Sequence, residues 1–314
     1  MNSFAEDVFR GLSSSNKFLP SMYFYDEEGD RLFKEITNLE EYSLTRSEEE
    51  ILQSHRGEML TFFSLDGGGF NLIELGPGDG IKSRILLNFF LYHQADFEYY
   101  PIDISENVLG LLMDNLQRLL PKVIVKPMNM DYFEALDELH KVSDRRNVVL
   151  FLGSNIGNFE HKDALKFLRS LHEKLDKNDL LLIGMDLKKD PDKILNAYND
   201  SKGITRDFNL NYLQRINREL GGEFDLKKFT HNPVYKEDSG EARSYLRSTC
   251  RQEVFIGDLN QTFRFEKDEE IFMEVSRKYN TNDIETLAAE SGFKILKYFY
   301  DSNRNFTNVL WKRD

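Results

Sequence analysis

The stretch NLIELGPGDGIKSRILLNFFLYH, residues 71–93, decides how the whole chain is read. A short, mostly apolar strand candidate runs straight into Gly76, Gly78 and Gly80, and a helix-periodic segment follows at once. Glycines at such a turn let the backbone bend tightly and approach a ligand at the carboxyl edge of a parallel sheet. Their spacing distinguishes between ligands. A dinucleotide loop wants G-x-G-x-x-G, and Ile81 stands where the third glycine belongs. Lys82 would still help a phosphate, whereas Glu74, just ahead of the glycines, would repel a pyrophosphate and suits a cation such as a sulfonium.

Working outward, the same rhythm of strand, turn and helix repeats. FEYYPID (97–103) leads into SENVLGLLMDNLQRLL (105–120), a helix with Ser105 as its cap. VIVKPMNMD (123–131), NVVLFLGS (147–154) and DLLLIGMDL (179–187) read as further strands. Continuous apolar strands alternating with amphipathic helices predict a Rossmann-like α/β domain, a parallel sheet with helices on both faces. Residues 1–55 are helical in pattern, residues 234–279 alternate like antiparallel strands, and the tail reads as a helix and a closing hairpin. The expected division is a ligand-binding domain of residues 60–195 and 280–314, with a second α+β lobe of residues 1–59 and 196–279.

Composition narrows the function. The chain has 314 residues and carries 41 Lys and Arg against 54 Asp and Glu, a net charge of −13. That balance argues against nucleic acid or an anionic membrane as main partner and favours a small-molecule substrate. One cysteine, Cys250, allows no intrachain disulfide and suits a reducing cytoplasm. The start MNSFAEDVFRGL has neither the basic residues nor the apolar run of a signal peptide, and no segment approaches a membrane span. The six histidines show no ligand spacing, so no metal is expected. A monomer is the expectation.

Four further constellations carry chemistry. Asp103 ends the second strand, where a carboxylate can accept both hydroxyls of a ribose or merely cap a helix. Asp131 followed by Tyr132 ends the third, an acid for an adenine amino group and a ring to stack on it. Gly153 to Phe159 (GSNIGNF) follows the fourth, and the Asn158 amide could donate to a substrate carboxylate. Glu274 and Ser276 lie two apart in an extended segment, so both project from one face and as a pair could hold an imidazole or another N–H ring.

Taken with FYDEEG (24–29), EYSLTR (41–46), AYND (197–200), FNLN (208–211) and EVSRKY (274–279), these motifs make the chain similar to the histidine-specific Nα-methyltransferases of ergothioneine biosynthesis, which use S-adenosylmethionine (SAM). The likeness runs nearly end to end. It implies a class I methyltransferase domain that binds SAM through Gly76, Gly78, Lys82, Asp103, Asp131 and Tyr132. It further implies a substrate lobe in which Asn158 and Tyr198 hold the carboxylate and Glu274 and Ser276 the imidazole. Tyr25 and Tyr42 match pocket tyrosines in catalytic positions, Tyr42 also touching substrate. The chain departs from the family at Ser244, where a methionine is usual beside the ring. Methylation of another amino acid, an aromatic one for instance, a non-catalytic SAM-binding module, and a pyridine-nucleotide oxidoreductase are the competing readings.

Overall fold

The computed structural model describes residues 3–64 and 68–313. The parts of the expected domains that fall on residues 1–2, 65–67 and 314 lie outside the described residues. Contacts divide the chain into two compact units, Met1–Ser43 with Lys189–Arg277, and Leu44–Lys188 with Lys278–Asp314. The first boundary therefore falls at 43/44 and not at 59/60. Helix Leu44–Phe63 packs against a neighbouring helix and a strand of the sheet unit, which a helical pattern alone does not reveal.

In the sheet unit, α3 (Leu44–Phe63) precedes β1 (Phe70–Leu75), α4 (Ile81–Tyr92), β2 (Phe97–Ile102), α5 (Glu106–Leu119), α6 (Tyr132–Val142) and β3 (Arg146–Phe151). Then come α7 (His161–Lys174), β4 (Leu180–Asp186), α10 (Thr281–Ser291), β10 (Phe293–Tyr300) and β11 (Phe306–Arg313). The six strands run in the order β10-β11-β4-β3-β1-β2. The three pairings from β2 to β4 are parallel, whereas β11 enters antiparallel beside β4 and pairs with β10 as a hairpin. Every residue of β1 and β4 is buried, Asn71, Glu74 and Asp186 included, as strands covered on both faces require. This is a Rossmann-like α/β arrangement, the fold expected from the alternation.

The strand expected at VIVKPMNMD is present only as two parallel bridges to β2, Tyr99 with Val125 and Ile102 with Met128. Between them a regular ladder would need an N–H from Pro101, and proline has none. The edge is still held by four backbone bonds, Tyr99 N–H to Ile124, Lys126 N–H to Tyr99, Met128 N–H to Pro101 and Asp103 N–H to Met128, and lacks the one that Pro101 cannot donate.

The other unit contains α1 (Ser3–Ser13), α2 (Glu27–Thr37), α8 (Pro191–Tyr198) and α9 (Ile204–Leu220), with β5 (Phe229–Lys236), β6 (Glu241–Ser248) and β9 (Glu270–Arg277) as a three-stranded antiparallel sheet. A two-stranded ribbon, β7 (Gln252–Ile256) and β8 (Gln261–Phe265), completes it. Its core joins Phe4, Val8 and Leu12 of α1 to Phe208, Tyr212 and Ile216 of α9 and to Leu246 and Ile271 of the sheet.

Candidate active site

In the sheet unit the glycine loop has the backbone it was expected to need. Gly76, Gly78 and Gly80 have φ of 68°, 56° and 69°, left-handed values that disfavour a side chain. Gly80 admits none on space either, since a Cβ there would lie 2.3 Å from Leu112 Cδ1. A Cβ on Gly78 would meet nothing within 4 Å, so this part of the loop faces open space, while one on Gly76 would lie 2.9 Å from the Tyr132 hydroxyl. Tyr132 therefore stands over the loop. Burial, then Asp103 and Asp131, push its phenol up to about 12, so it stays protonated.

Asp103 accepts the Ser105 amide at 2.9 Å, and burial raises its carboxyl above the usual range despite that bond. Asn129 fixes the backbone there by donating to the Asp103 carbonyl at 3.0 Å. Asp131 caps α6, accepting from Phe133 N at 2.8 Å, and is exposed. Gly76, Asp103, Asp131 and Tyr132 are thus gathered on one edge.

Two charged residues behave differently from the sequence expectation. Glu74 does not face outward as a counter-charge for a sulfonium. It is 3% exposed and accepts a hydrogen bond from the Tyr99 hydroxyl, and burial pushes its pKa up to about 7. Lys82 is not a lone cation, because its ammonium sits 2.7 Å from Glu48, a fully buried acid on α3 that sequence reading missed. Asn158 ends a short 3-10 turn after β3 and is exposed. Its loop begins with two left-handed residues, Gly153 and Ser154, and is fixed by Ser154 Oγ accepting the Asp186 amide at 2.9 Å.

The substrate residues of the other unit share one sheet face. The register sets Ser244 opposite Glu274 and Ala242 opposite Ser276, and the β-bulge falls just beyond, after Ser244. Directly paired residues project to the same side, so Glu274 and Ser276 share a face with Ser244. Ser244 is fully buried and donates to Glu274 Oε1 at 3.2 Å. Ala242 packs with Ile194, Ala197 and Tyr198, and Tyr42 and Tyr235 lie against the same cluster. Tyr235 was not anticipated; its pairing with Ala242 places it there.

Tyr25 is half exposed, but its hydroxyl is desolvated, and with Glu274, Asp30 and Tyr198 near, its pKa is held well above the ordinary value. The motifs around these tyrosines are braces. Burial opposes the charge of Asp26, yet Arg218, the Gly29 amide and Asn211 outweigh it and keep the carboxyl low. Gly29 is required because a Cβ would fall 1.8 Å from the Phe24 carbonyl oxygen. Asp200 accepts from the amides of Ile204 and Thr205 at 2.9 and 2.8 Å, locking the corner after Tyr198.

A family profile described as histidine-specific, SAM-dependent methyltransferase matches residues 4–313. The chain belongs to that family. Among its relatives are the histidine N-alpha-methyltransferase of Mycobacterium tuberculosis, 34% identical over 96% of this chain and 92% of that one. The ergothioneine biosynthesis protein 1 of Schizosaccharomyces pombe is 32% identical over 93% of this chain but 38% of its own length. The L-tryptophan methyltransferase trpM of Psilocybe serbica is 26% identical, covering 88% and 83%. A solved SAM-dependent methyltransferase from Clostridium acetobutylicum superposes at TM-score 0.44 with 13% identity, over 90% of this chain and 98% of that one.

As a member of the histidine-specific methyltransferases, the chain uses SAM as cofactor. Its donor set fits that group: a glycine loop open at Gly78, a carboxylate for paired hydroxyls, and a phenol ring at the loop. No metal-binding cluster of His, Cys, Asp and Glu occurs among the described residues, and no described helix is long and apolar enough to cross a membrane.

Proposed function

We propose that the chain methylates the α-amino nitrogen of L-histidine three times, giving the trimethylated betaine hercynine. The observation that carries this reading is the polar row Ser244–Glu274–Ser276 on a sheet face otherwise walled by Tyr198 and Ala242. A carboxylate with a hydroxyl beside it matches a ring that bears an N–H, and a charge-assisted bond to it is strong.

SAM, when bound, supplies a methyl group already activated by its sulfonium. The chain's own residues then have to hold and orient a neutral amine, which alone contributes several kcal/mol and up to about 7–11 in ideal cases. Glu274 and Ser276 fix the ring, and Tyr198 of the same unit holds the carboxylate. Tyr25 and Tyr42 line the reacting end as hydrogen-bonding phenols. Tyr25, whose pKa is raised by burial and by Glu274, does not serve as an anionic base at neutral pH. Asp103, Asp131 and Tyr132 hold the cofactor. The enzyme works as a cytoplasmic monomer in this reading.

Ser244 bears on the rival reading, an aromatic amino acid in place of histidine. Its hydroxyl is bonded to Glu274 and makes that end of the wall more polar, which favours an N–H ring over an all-carbon one. Methylation assays across the twenty amino acids with SAM test this. Histidine as preferred substrate is expected, and methylation of none, with SAM bound tightly, overturns the proposal.

Asp103→Ala is expected to weaken SAM by roughly ten- to a hundredfold, the value of a charged hydrogen bond or two. Calorimetric titration checks it. Unchanged affinity in a folded variant removes Asp103 from the site.

A further inference from the structure

Glu48 is fully buried on α3, inside a run of three acids whose pattern suggests a solvated face. Its carboxylate collects donors from the loop after β3, from α4 and from β11. Oε2 accepts the Gly153 amide at 2.8 Å and the Lys82 ammonium at 2.7 Å, and Oε1 accepts from Asn308 Nδ2 at 2.9 Å. The sheet is cut to fit it, since a Cβ on Gly184 would lie 2.2 Å from Oε1. The Lys82 ammonium in turn reaches the start of the strand-end loop, 3.4 Å from where a Gly153 Cβ would be. A buried charge without such partners would not persist. Glu48 thus ties the helix after the glycine loop to the loop that carries Asn158.

We propose that Glu48 is a positioning residue whose negative charge, by neutralising Lys82, lets this edge take a cationic sulfonium ligand in preference to its neutral thioether product. The inference rests on the cofactor lying at the Lys82 edge. SAM and S-adenosylhomocysteine differ by one methyl and one positive charge. With Lys82 compensated, the edge does not repel the sulfonium. With Glu48 neutral, an unpaired ammonium faces both ligands but penalises only the charged one, because Coulomb repulsion in a partly desolvated site remains appreciable over several ångströms.

The test is titration of both ligands into wild type and Glu48→Gln by calorimetry. Gln keeps an acceptor for Gly153 N–H and loses the charge. SAM affinity is expected to fall roughly five- to twentyfold more than S-adenosylhomocysteine affinity, the scale of one unit charge at such range. The double variant Glu48→Gln with Lys82→Met should restore the wild-type ratio. Where Glu48→Gln does not fold, Lys82→Met alone decides: its position is only partly buried, and the uncompensated carboxylate should shift the ratio towards SAM. Equal weakening of both ligands in folded Glu48→Gln, or an unchanged ratio in Lys82→Met, overturns the proposal. Failure of wild type to bind either ligand would instead overturn the cofactor site itself.

Discussion

Glu274→Ala is expected to lower kcat/KM for histidine by roughly 10⁴-fold, the discrimination that a site built around a buried hydrogen bond can reach. The carboxylate does not stand alone on its strand. Ser244 donates to one oxygen, and Ser276 projects from the same face two residues on. A ring N–H adds a charge-assisted bond, and a substrate without that donor desolvates the acid without replacing the bond it loses to water. Removing the acid should therefore cost histidine far more than phenylalanine, whose ring has no N–H and whose turnover should change little or rise. Steady-state rates for the two substrates measure this. Full histidine activity in the variant would mean that the carboxylate does not face the ring.

Glu74→Gln should make stability less sensitive to pH, with an effect of about 3 kcal/mol across the titration window. The folded carboxyl titrates near 7 against a reference of 4.5, because burial outweighs the hydrogen bonds of Tyr99 and Ser83 and the pull of Lys82. Between those two values the folded state holds a proton that the unfolded state has released. Stability contributed by the protonated acid is therefore complete below about pH 4.5 and lost as pH rises towards and past 7. A neutral amide keeps the bond from Tyr99 and escapes the loss, so the variant should gain on wild type as pH increases. Denaturant unfolding at a series of pH values checks the sign. A stability difference that stays flat from pH 5 to 8, roughly the window spanned by the two states, would show Glu74 ionised at no penalty.

The parallel sheet and its ligand edge were legible because strand-long apolar runs and a glycine turn have few other uses. The Glu274–Ser276 pair was legible for a simpler reason, the two-residue period of a strand. What stayed hidden depended on contacts distant in sequence. Glu48 is indistinguishable from Glu49 and Glu50 until Gly153 and Gly184 are seen to leave room for it; Gly184, lodged in the apolar run LLLIGMD, was the one local signal. Lys82 read as a free cation for the same reason. The third strand is interrupted where Pro101 of β2 offers it no N–H, a defect that the β-branched start of VIVKPMNMD does not reveal. The 43/44 boundary follows from which neighbours Leu44–Phe63 packs on, which periodicity does not encode.

The position of β11 between β10 and β4 has a consequence for how the polypeptide is made. On the ribosome β4 emerges early, all seven of its residues destined for burial, while its antiparallel neighbour is synthesised only after the whole of residues 189–277. Until then β4 presents an unpaired, mostly apolar edge, the kind of surface that recruits chaperones or misassociates. The nascent chain must keep that edge covered through the synthesis of an entire second unit. Yield in cells should accordingly respond to translation speed and chaperone supply more than the finished molecule's stability would suggest.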